Sequence, residues 1–140
     1  MNFKLKLVGV ISGLGLTMSA CSYATIVDDF GQIKEAIAQG YKPILLLSGS
    51  CLNPSMNISA SYAPAAVVIT DAGLATSDLH FTLNDPLSVG SPAYEYTLYQ
   101  IAPSGQVKMT TTVFDPSFKP IGIEPVISCA LGQGFDVAIN

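Results

Sequence analysis

The sequence predicts an α+β domain in which one N-terminal helix packs on a curled antiparallel β-sheet with a barrel-like or sandwich-like shape. Three observations support this class. One segment has helical periodicity, several short β-rich runs are separated by turn residues, and Cys51 and Cys129 lie far apart in the chain. The length of 25–140 fits a single domain.

The predicted helix begins after Asp28 or Asp29, either of which can cap it, and ends at Gly40. Apolar residues recur at helical spacing between these two ends and form one face. They are Phe30, Ile33 and Ile37. This is the only segment of the chain for which the sequence predicts a helix.

Three strands are predicted between residues 44 and 84. The apolar run 44–47 reads as a buried strand, 53–64 as a loop rich in Ser, Asn and Pro, and 65–70 as a second strand that ends in the turn 71–73. The segment 78–84 alternates and predicts a half-buried strand. Its expected core face holds Leu79, Phe81 and Leu83, and its polar face holds His80 and Thr82.

A β-hairpin is the best-defined predicted unit. The β-rich runs 94–101 and 106–114 are joined by 102–105, whose Pro and Gly suit a tight turn. We expect Tyr94 and Tyr96 to cover the core, which leaves Tyr99 on the other face as a candidate binding residue. In the second strand one face holds Val107, Met109, Thr111 and Val113.

The end of the chain completes the predicted sheet. Residues 121–127 predict an edge strand interrupted by Gly122 and Pro125, and a Gly-rich turn at 132–134 precedes a last strand over 135–139. The sheet is therefore expected to contain about six or seven antiparallel strands.

Residues 1–24 have the pattern of a bacterial secretory signal peptide. Lys4 and Lys6 precede the apolar run 7–18, and small residues extend to Ala24. The apolar run has about 12 residues, fewer than the roughly 20 that a membrane-spanning helix needs. We therefore expect an exported chain, periplasmic or secreted.

A second interpretation of the same segment is that the protein is an outer-membrane lipoprotein. Residues 18–21 resemble a lipobox, so that 1–20 would be removed and Cys21 would carry the lipid. Only this form would bind a membrane. Under both interpretations Cys51 and Cys129 remain as the cysteines of the exported domain, and we expect them to form a structural disulfide.

The charge of the chain excludes one large class of partners. Four lysines and ten acidic residues follow the predicted signal peptide, which gives a net charge of −6, and the chain contains no arginine. Nucleic-acid binding needs clustered basic residues. The expected partner is a protein or another envelope component.

Candidate catalytic groups are few. His80 is the only histidine, so any Ser-His or Cys-His nucleophile must include it. Ser77 and Asp78 lie close in sequence, but adjacent strand residues point to opposite faces and cannot form a triad by spacing alone. Glu95 and Glu124, both on predicted strands, are the nearest candidates for a catalytic acid pair. We expect none of these groups to be catalytic and expect His80 to lie on the surface.

Metal binding finds little support in the sequence, and no cofactor is predicted. One histidine and two oxidised cysteines do not make a usual zinc site. Calcium needs only oxygen ligands, which Asp71, Asp78 and Asp85 could supply near strand ends. Their spacing matches no calcium motif, so we expect solvated turn residues.

A family resemblance rests on several segments taken together: the helix stopped by Gly40, the strand 44–47 before Cys51, and the stretches 80–82, 94–99, 103–116 and 128–132. They resemble the VirK family over 27–137. The resemblance implies a small exported bacterial protein associated with virulence-linked gene sets, and it implies no reaction.

The expected function is therefore an exported, virulence-associated binding or accessory protein without catalytic activity, with Tyr99 and His80 as the candidate binding surface. The alternative is a periplasmic hydrolase that uses His80 or an acid pair. A third interpretation is an inhibitor or chaperone-like module that offers an edge strand to a partner. The prolines within 118–125 disfavour that role because proline blunts strand edges.

Overall fold

The computed structural model describes residues 24–52, 59–83 and 85–140. The predicted signal peptide, apart from Ala24, and the lipidation candidate Cys21 lie outside these residues. The described chain contains two helices, α1 (Phe30–Ala38) and α2 (Gly49–Leu52). It also contains ten strands: β1 (Thr25–Val27), β2 (Pro43–Ser48), β3 (Ser59–Tyr62), β4 (Val67–Thr70), β5 (Gly73–Thr82), β6 (Ala93–Ile101), β7 (Gln106–Phe114), β8 (Pro120–Ile123), β9 (Ile127–Leu131) and β10 (Gly134–Ile139).

The predicted helix is confirmed as α1. The side chain of Asp29 accepts a hydrogen bond of 3.0 Å from the backbone N–H of Gln32, which caps the first turn. Gly40 follows the helix with a φ of 92°, a left-handed conformation that suits glycine. Phe30 and Ile33 are buried and belong to the hydrophobic core. The short helix α2 was not predicted.

All ten strands belong to one sheet, with the order β3-β2-β10-β9-β7-β6-β5-β4. The short strands β1 and β8 pair with β10 and β7. The prediction of a purely antiparallel sheet is wrong, because β9 and β10 run parallel. Gly132 lies in the turn between these strands and Gly134 begins β10, and both have positive φ. This conformation allows the chain to move to the neighbouring position in the sheet and continue in the same direction.

The sheet curls into a half-barrel whose inner face holds the core. Tyr62, on the edge strand β3, contacts Tyr99 on β6 with a distance of 5.6 Å between ring centroids. These two strands are far apart in the sheet order, so the contact crosses the hollow of the curl. The fold is mostly β, with two short helices, rather than an even α+β mixture.

Several predicted strand bounds change. The hairpin is confirmed as β6 and β7, whereas the predicted strand 121–127 is divided between β8 and β9. The predicted loop 53–64 contains β3, and its residues 53–58 lie outside the described chain. The strands predicted at 65–70 and 78–84 are β4, which starts later, and β5, which starts earlier.

The faces of β5 and β6 are the reverse of those predicted. Leu79 and Phe81 are 50% and 53% exposed, whereas Tyr99 is 2% exposed and lies in the core. The reason is the register with β7, where Met109 is buried and pairs with Tyr99. Paired residues share a face, and a shift of one residue moves a whole set of side chains to the other side of the sheet.

Cys51 on α2 and Cys129 on β9 form a disulfide that joins positions 78 residues apart, with 5.5 Å between their Cα atoms. The bond ties the short helix that follows β2 to a strand of the same curled sheet. None of the helices in the described residues is long and apolar enough to span a bilayer.

Candidate functional site

Ionisable side chains gather on the inner face of the curl, where β5 and β6 run side by side. Because alternate residues of a strand share a face, Asp78 and His80 of β5 both point inward. Glu95 of β6 is the direct partner of His80 in the register. Two further acids, Asp85 and Glu124, approach from the loop after β5 and the segment after β8. We refer to these five residues as the carboxyl–histidine cluster.

His80 lies between two carboxylates. Its Nδ1 is 3.1 Å from Oδ2 of Asp78, and its Nε2 is 3.3 Å from Oε2 of Glu95. Both ring nitrogens of a protonated imidazole donate, so a charged His80 satisfies both carboxylates at once. The residue is half-buried, and the predicted outward position of His80 on an exposed polar face is wrong for the same register reason given above.

Two tyrosines border the cluster. The hydroxyl groups of Tyr62 and Tyr99 lie close to each other, and that of Tyr99 also lies close to Thr97. Burial raises the pKa of both phenols, so both stay neutral. Thr97 in turn hydrogen-bonds Thr111 of β7 over 2.9 Å. The binding-surface role predicted for Tyr99 is therefore wrong, because the residue is enclosed in the core and only 2% exposed.

The three acids Asp85, Glu95 and Glu124 lie within electrostatic reach of one another. Burial raises the pKa of Glu95, and the neighbouring carboxyls add to that rise while the charge of His80 opposes it. Burial also raises the pKa of Glu124, with a further contribution from Asp85. Acids with raised pKa values in a partly buried group are typical of functional sites, although structural clusters also produce them.

The structure brings together most of the ionisable candidates and separates the others. His80, Asp78, Glu95 and Glu124 meet in one place, together with Asp85. Ser77 lies on the opposite face of β5, as its position beside Asp78 predicts. The three calcium candidates do not all meet, since Asp78 and Asp85 belong to the cluster whereas Asp71 pairs with Lys34 before β5 begins. Among the residues that the structure describes, no group of three or more His, Cys, Asp or Glu side chains is arranged to hold a metal ion.

Sequence reasoning missed the burial of Asp85, which is only 3% exposed. It predicted a solvated turn aspartate, because Asp85 lies near a strand end and its spacing from the other acids matches no calcium motif. The turn does form: Oδ1 of Asp85 accepts the backbone N–H groups of Leu87 and Ser88 at 2.6 Å and 3.1 Å. Nothing in the local sequence shows that β8 and β6 then cover it.

The outer face of the same strands is apolar and exposed. Leu79 and Phe81 of β5 pair with Tyr96 and Tyr94 of β6. The Tyr94 ring contacts Phe81 at 5.4 Å and stacks on Phe118 at 4.6 Å between centroids. Ile123 of β8 continues the row of Leu79 and Tyr96 across β7 and is 69% exposed. We call this surface the outer apolar face; it consists of Leu79, Phe81, Tyr94, Tyr96, Phe118 and Ile123.

Known proteins match this chain in sequence and in structure. The model of the VirK protein family matches residues 27–118. The crystal structure of lpg1832, a VirK family protein from Legionella pneumophila, superposes with a TM-score of 0.74 at 32% identity, covering 81% of this chain and 98% of that one. An uncharacterised protein of Sinorhizobium fredii, y4wH, is 26% identical in an alignment of 125 residues that covers 83% of this chain and 83% of that one. The chain therefore belongs to the VirK family.

Proposed function

We propose that this protein is an exported, virulence-associated binding protein without catalytic activity, and that it docks a partner protein through the outer apolar face. The exposed aromatic and aliphatic surface across β5, β6 and β8 carries the proposal. Contiguous exposed apolar patches are uncommon on monomeric proteins and mark interaction sites. Tyr and Phe are also enriched in protein interfaces, and Tyr is among the residue types that contribute most to their binding energy.

The composition favours a protein partner over a nucleic acid or an anionic membrane. The chain has no arginine and a net charge of −4, or −6 without the predicted signal peptide. On the strands that form the outer apolar face, Asp78 and Glu95 point inward, so they do not interrupt the apolar surface. An exposed apolar sheet surface of this kind suits the apolar side of another folded protein.

A non-catalytic role is supported by how His80 is held. Each ring nitrogen faces a carboxylate, so neither is directed at a hydroxyl that it could activate. A general base for a serine nucleophile needs one free ring nitrogen within hydrogen-bond reach of the hydroxyl. Here the histidine acts as a link between β5 and β6.

The hydrolase is kept as a second candidate because one observation favours it. Glu95 and Glu124, the acid pair that the sequence suggested, come together with raised pKa values, which is a feature of general acids. We expect a purified protein to show no hydrolysis of glycoside, ester or peptide reporter substrates. Turnover by the wild type that Glu95→Gln and Glu124→Gln both abolish would favour the enzyme instead.

We further propose that the protein works in the periplasm or outside the cell, or at the outer membrane if Cys21 carries a lipid. The predicted signal segment supports export, and the disulfide is of a type that persists in oxidising compartments. The associated partner is then another envelope protein or a protein of the host.

Site-specific photo-cross-linking in the native bacterium tests the docking proposal. A photoreactive phenylalanine analogue replaces Tyr96 in the outer apolar face, and the same analogue replaces the exposed Tyr41 as a matched control elsewhere on the surface. We expect one defined protein adduct from position 96, its loss when Phe81→Ser is added, and none from position 41. Equal adducts at both positions, no adduct at 96, or a lipid adduct there would contradict a protein-docking face.

A further inference from the structure

Asp85 carries an unusual unsatisfied atom. The residue is only 3% exposed. Its Oδ1 accepts two backbone N–H groups, whereas its Oδ2 has no hydrogen-bond partner. A buried carboxylate oxygen without a donor is costly, so native structures usually provide one. The side chain placed against Asp85 is Glu95, which is an acceptor while ionised and can donate only when it carries a proton.

The groups around this acid pair supply little positive charge. Glu124 approaches Asp85 from the segment after β8, His80 and Asp78 face Glu95 from β5, and Tyr62 and Tyr99 approach from β3 and β6 as neutral phenols. In the described part of the chain His80 is the one cation within ion-pair distance of these acids, and it is shared with Asp78. Four carboxylates with a single imidazolium leave the cluster strongly negative if every acid ionises.

Carboxyl groups that share a site avoid this repulsion by retaining a proton between them. We propose that Asp85, Glu95 and Glu124 form a proton-binding site in which protonated Glu95 donates to Oδ2 of Asp85, and that this proton makes the fold more stable in mildly acidic than in neutral solution. The bound ligand is the proton itself. The site is distinct from the outer apolar face and does not depend on what docks there.

The proton connects three separate pieces of the fold. The turn at Asp85 leads to Leu87, whose side chain lies so close to Gly122 of β8 that a Cβ at that glycine would meet it at 2.7 Å. Glu124, just past β8, donates its backbone N–H to the carbonyl of Thr111 over 3.0 Å. When the proton is lost, the negative charges of Asp85 in this turn, Glu95 on β6 and Glu124 just past β8 repel one another.

The direction of the pH effect follows from linkage. Burial and neighbouring acids raise the pKa of Glu95 and Glu124 in the folded state, whereas in the unfolded chain these acids titrate near their ordinary value of about 4.3. At a pH between the unfolded and the folded pKa values of these acids, folding is therefore accompanied by proton uptake. The stabilisation is complete below the unfolded value and is lost as the pH rises through the folded value, the reverse of an ordinary ion-paired carboxylate.

Chemical denaturation of the disulfide-intact protein between about pH 5 and about pH 8 tests this. We expect the wild-type midpoint to rise as the pH falls. Glu95→Gln supplies a permanent amide donor to Asp85, so it should lose at least about half of this pH dependence and be no less stable than the wild type near pH 8. Glu35→Gln, on the exposed face of α1, is the matched control and should keep the wild-type profile. His80→Gln removes the titration of the histidine, so this variant shows how much of the pH dependence of the midpoint comes from the histidine alone.

A direct titration keeps the proposal testable even if a variant does not fold. Carbon-13 NMR of the wild-type protein follows each side-chain carboxyl with pH, and Glu95 should hold its proton above the ordinary range of about pH 4 to 5. The proposal is overturned if Glu95 and Glu124 both titrate within that ordinary range. It is equally overturned if the wild type is more stable near pH 8 than near pH 5.5, or if Glu95→Gln retains the full wild-type pH profile.

Discussion

At the scale of single residues, Tyr99 shows how the inner face combines packing with polar contacts. Its ring lies against Phe135 at 6.2 Å and Tyr62 at 5.6 Å between centroids, within the hydrophobic core. Its hydroxyl lies close to both Tyr62 and Thr97 inside the fold. The edge strand β3 is therefore connected to β6 through one buried phenol group.

Removing that hydroxyl should weaken the fold without changing its shape. We expect Tyr99→Phe to lower the free energy of unfolding by about 1–2 kcal/mol, because it removes a buried hydroxyl from beside the polar groups of Tyr62 and Thr97. Tyr96→Phe is the matched control, since Tyr96 lies on the outer face, and should change stability by less than about 0.5 kcal/mol. Denaturant unfolding of both variants provides the comparison. Equal effects would mean that the Tyr99 hydroxyl contributes nothing beyond its ring.

At the scale of secondary-structure elements, the sequence was informative about which segments are strands and misleading about which way they face. The hairpin of β6 and β7 follows from its β-rich runs and its Pro-Ser-Gly turn, and the buried set from Val107 to Val113 is assigned correctly. Leu79 and Phe81 suggested a core face for β5. That prediction failed because the alternation of apolar and polar residues along a strand looks the same whether the apolar side faces the core or, as here, forms the outer apolar face.

The convergence of the carboxyl–histidine cluster could not be predicted for a related reason. His80 and Glu95 meet only once the register of β5 against β6 is known, and Glu124 joins them only after β8 folds back on β7. These are contacts between distant parts of the sequence that no local pattern specifies. The cysteines, by contrast, leave one intramolecular pairing once Cys21 is assigned to the predicted signal segment, so the link between Cys51 and Cys129 was available from the sequence alone.

The turn between β9 and β10 gives a prediction for one element. Gly134 has a φ of 89°, and a Cβ there would meet Oγ of Ser50 and lie 2.7 Å from the backbone nitrogen of Cys51. We therefore expect Gly134→Ala to destabilise the fold by about 3 kcal/mol or more, since backbone strain and a clash with α2 act together.

Gly40 is the natural control for that substitution. It has a similar φ of 92°, but a Cβ there meets nothing within 4 Å, so Gly40→Ala should cost only about 1 kcal/mol from backbone strain. Thermal unfolding of the two variants separates strain from close packing. Equal destabilisation would show that α2 does not press against the β9–β10 turn as described.

At the scale of the whole molecule, the disulfide spans 78 residues of sequence and ties α2 to β9. Closing a loop of this length stabilises a domain by about 4.5 kcal/mol in the chain-entropy model, against a typical total of about 5–15 kcal/mol. We expect Cys51→Ser combined with Cys129→Ser, or reduction of the wild type, to remove a large part of the stability. Urea unfolding with and without reductant measures the effect.

The intact mass of the protein from its own host tests the bond and the predicted export together. A chain that starts at Thr25 and gains about two daltons on reduction, one hydrogen for each sulfur, would be a secreted or periplasmic protein that carries the Cys51–Cys129 bond. A chain that starts at Cys21 with added acyl mass would be a lipoprotein with the same bond. An unchanged mass on reduction would contradict the disulfide, and a chain that retains residues 1–20 would contradict both forms of processing, so the partner search would then move away from the envelope.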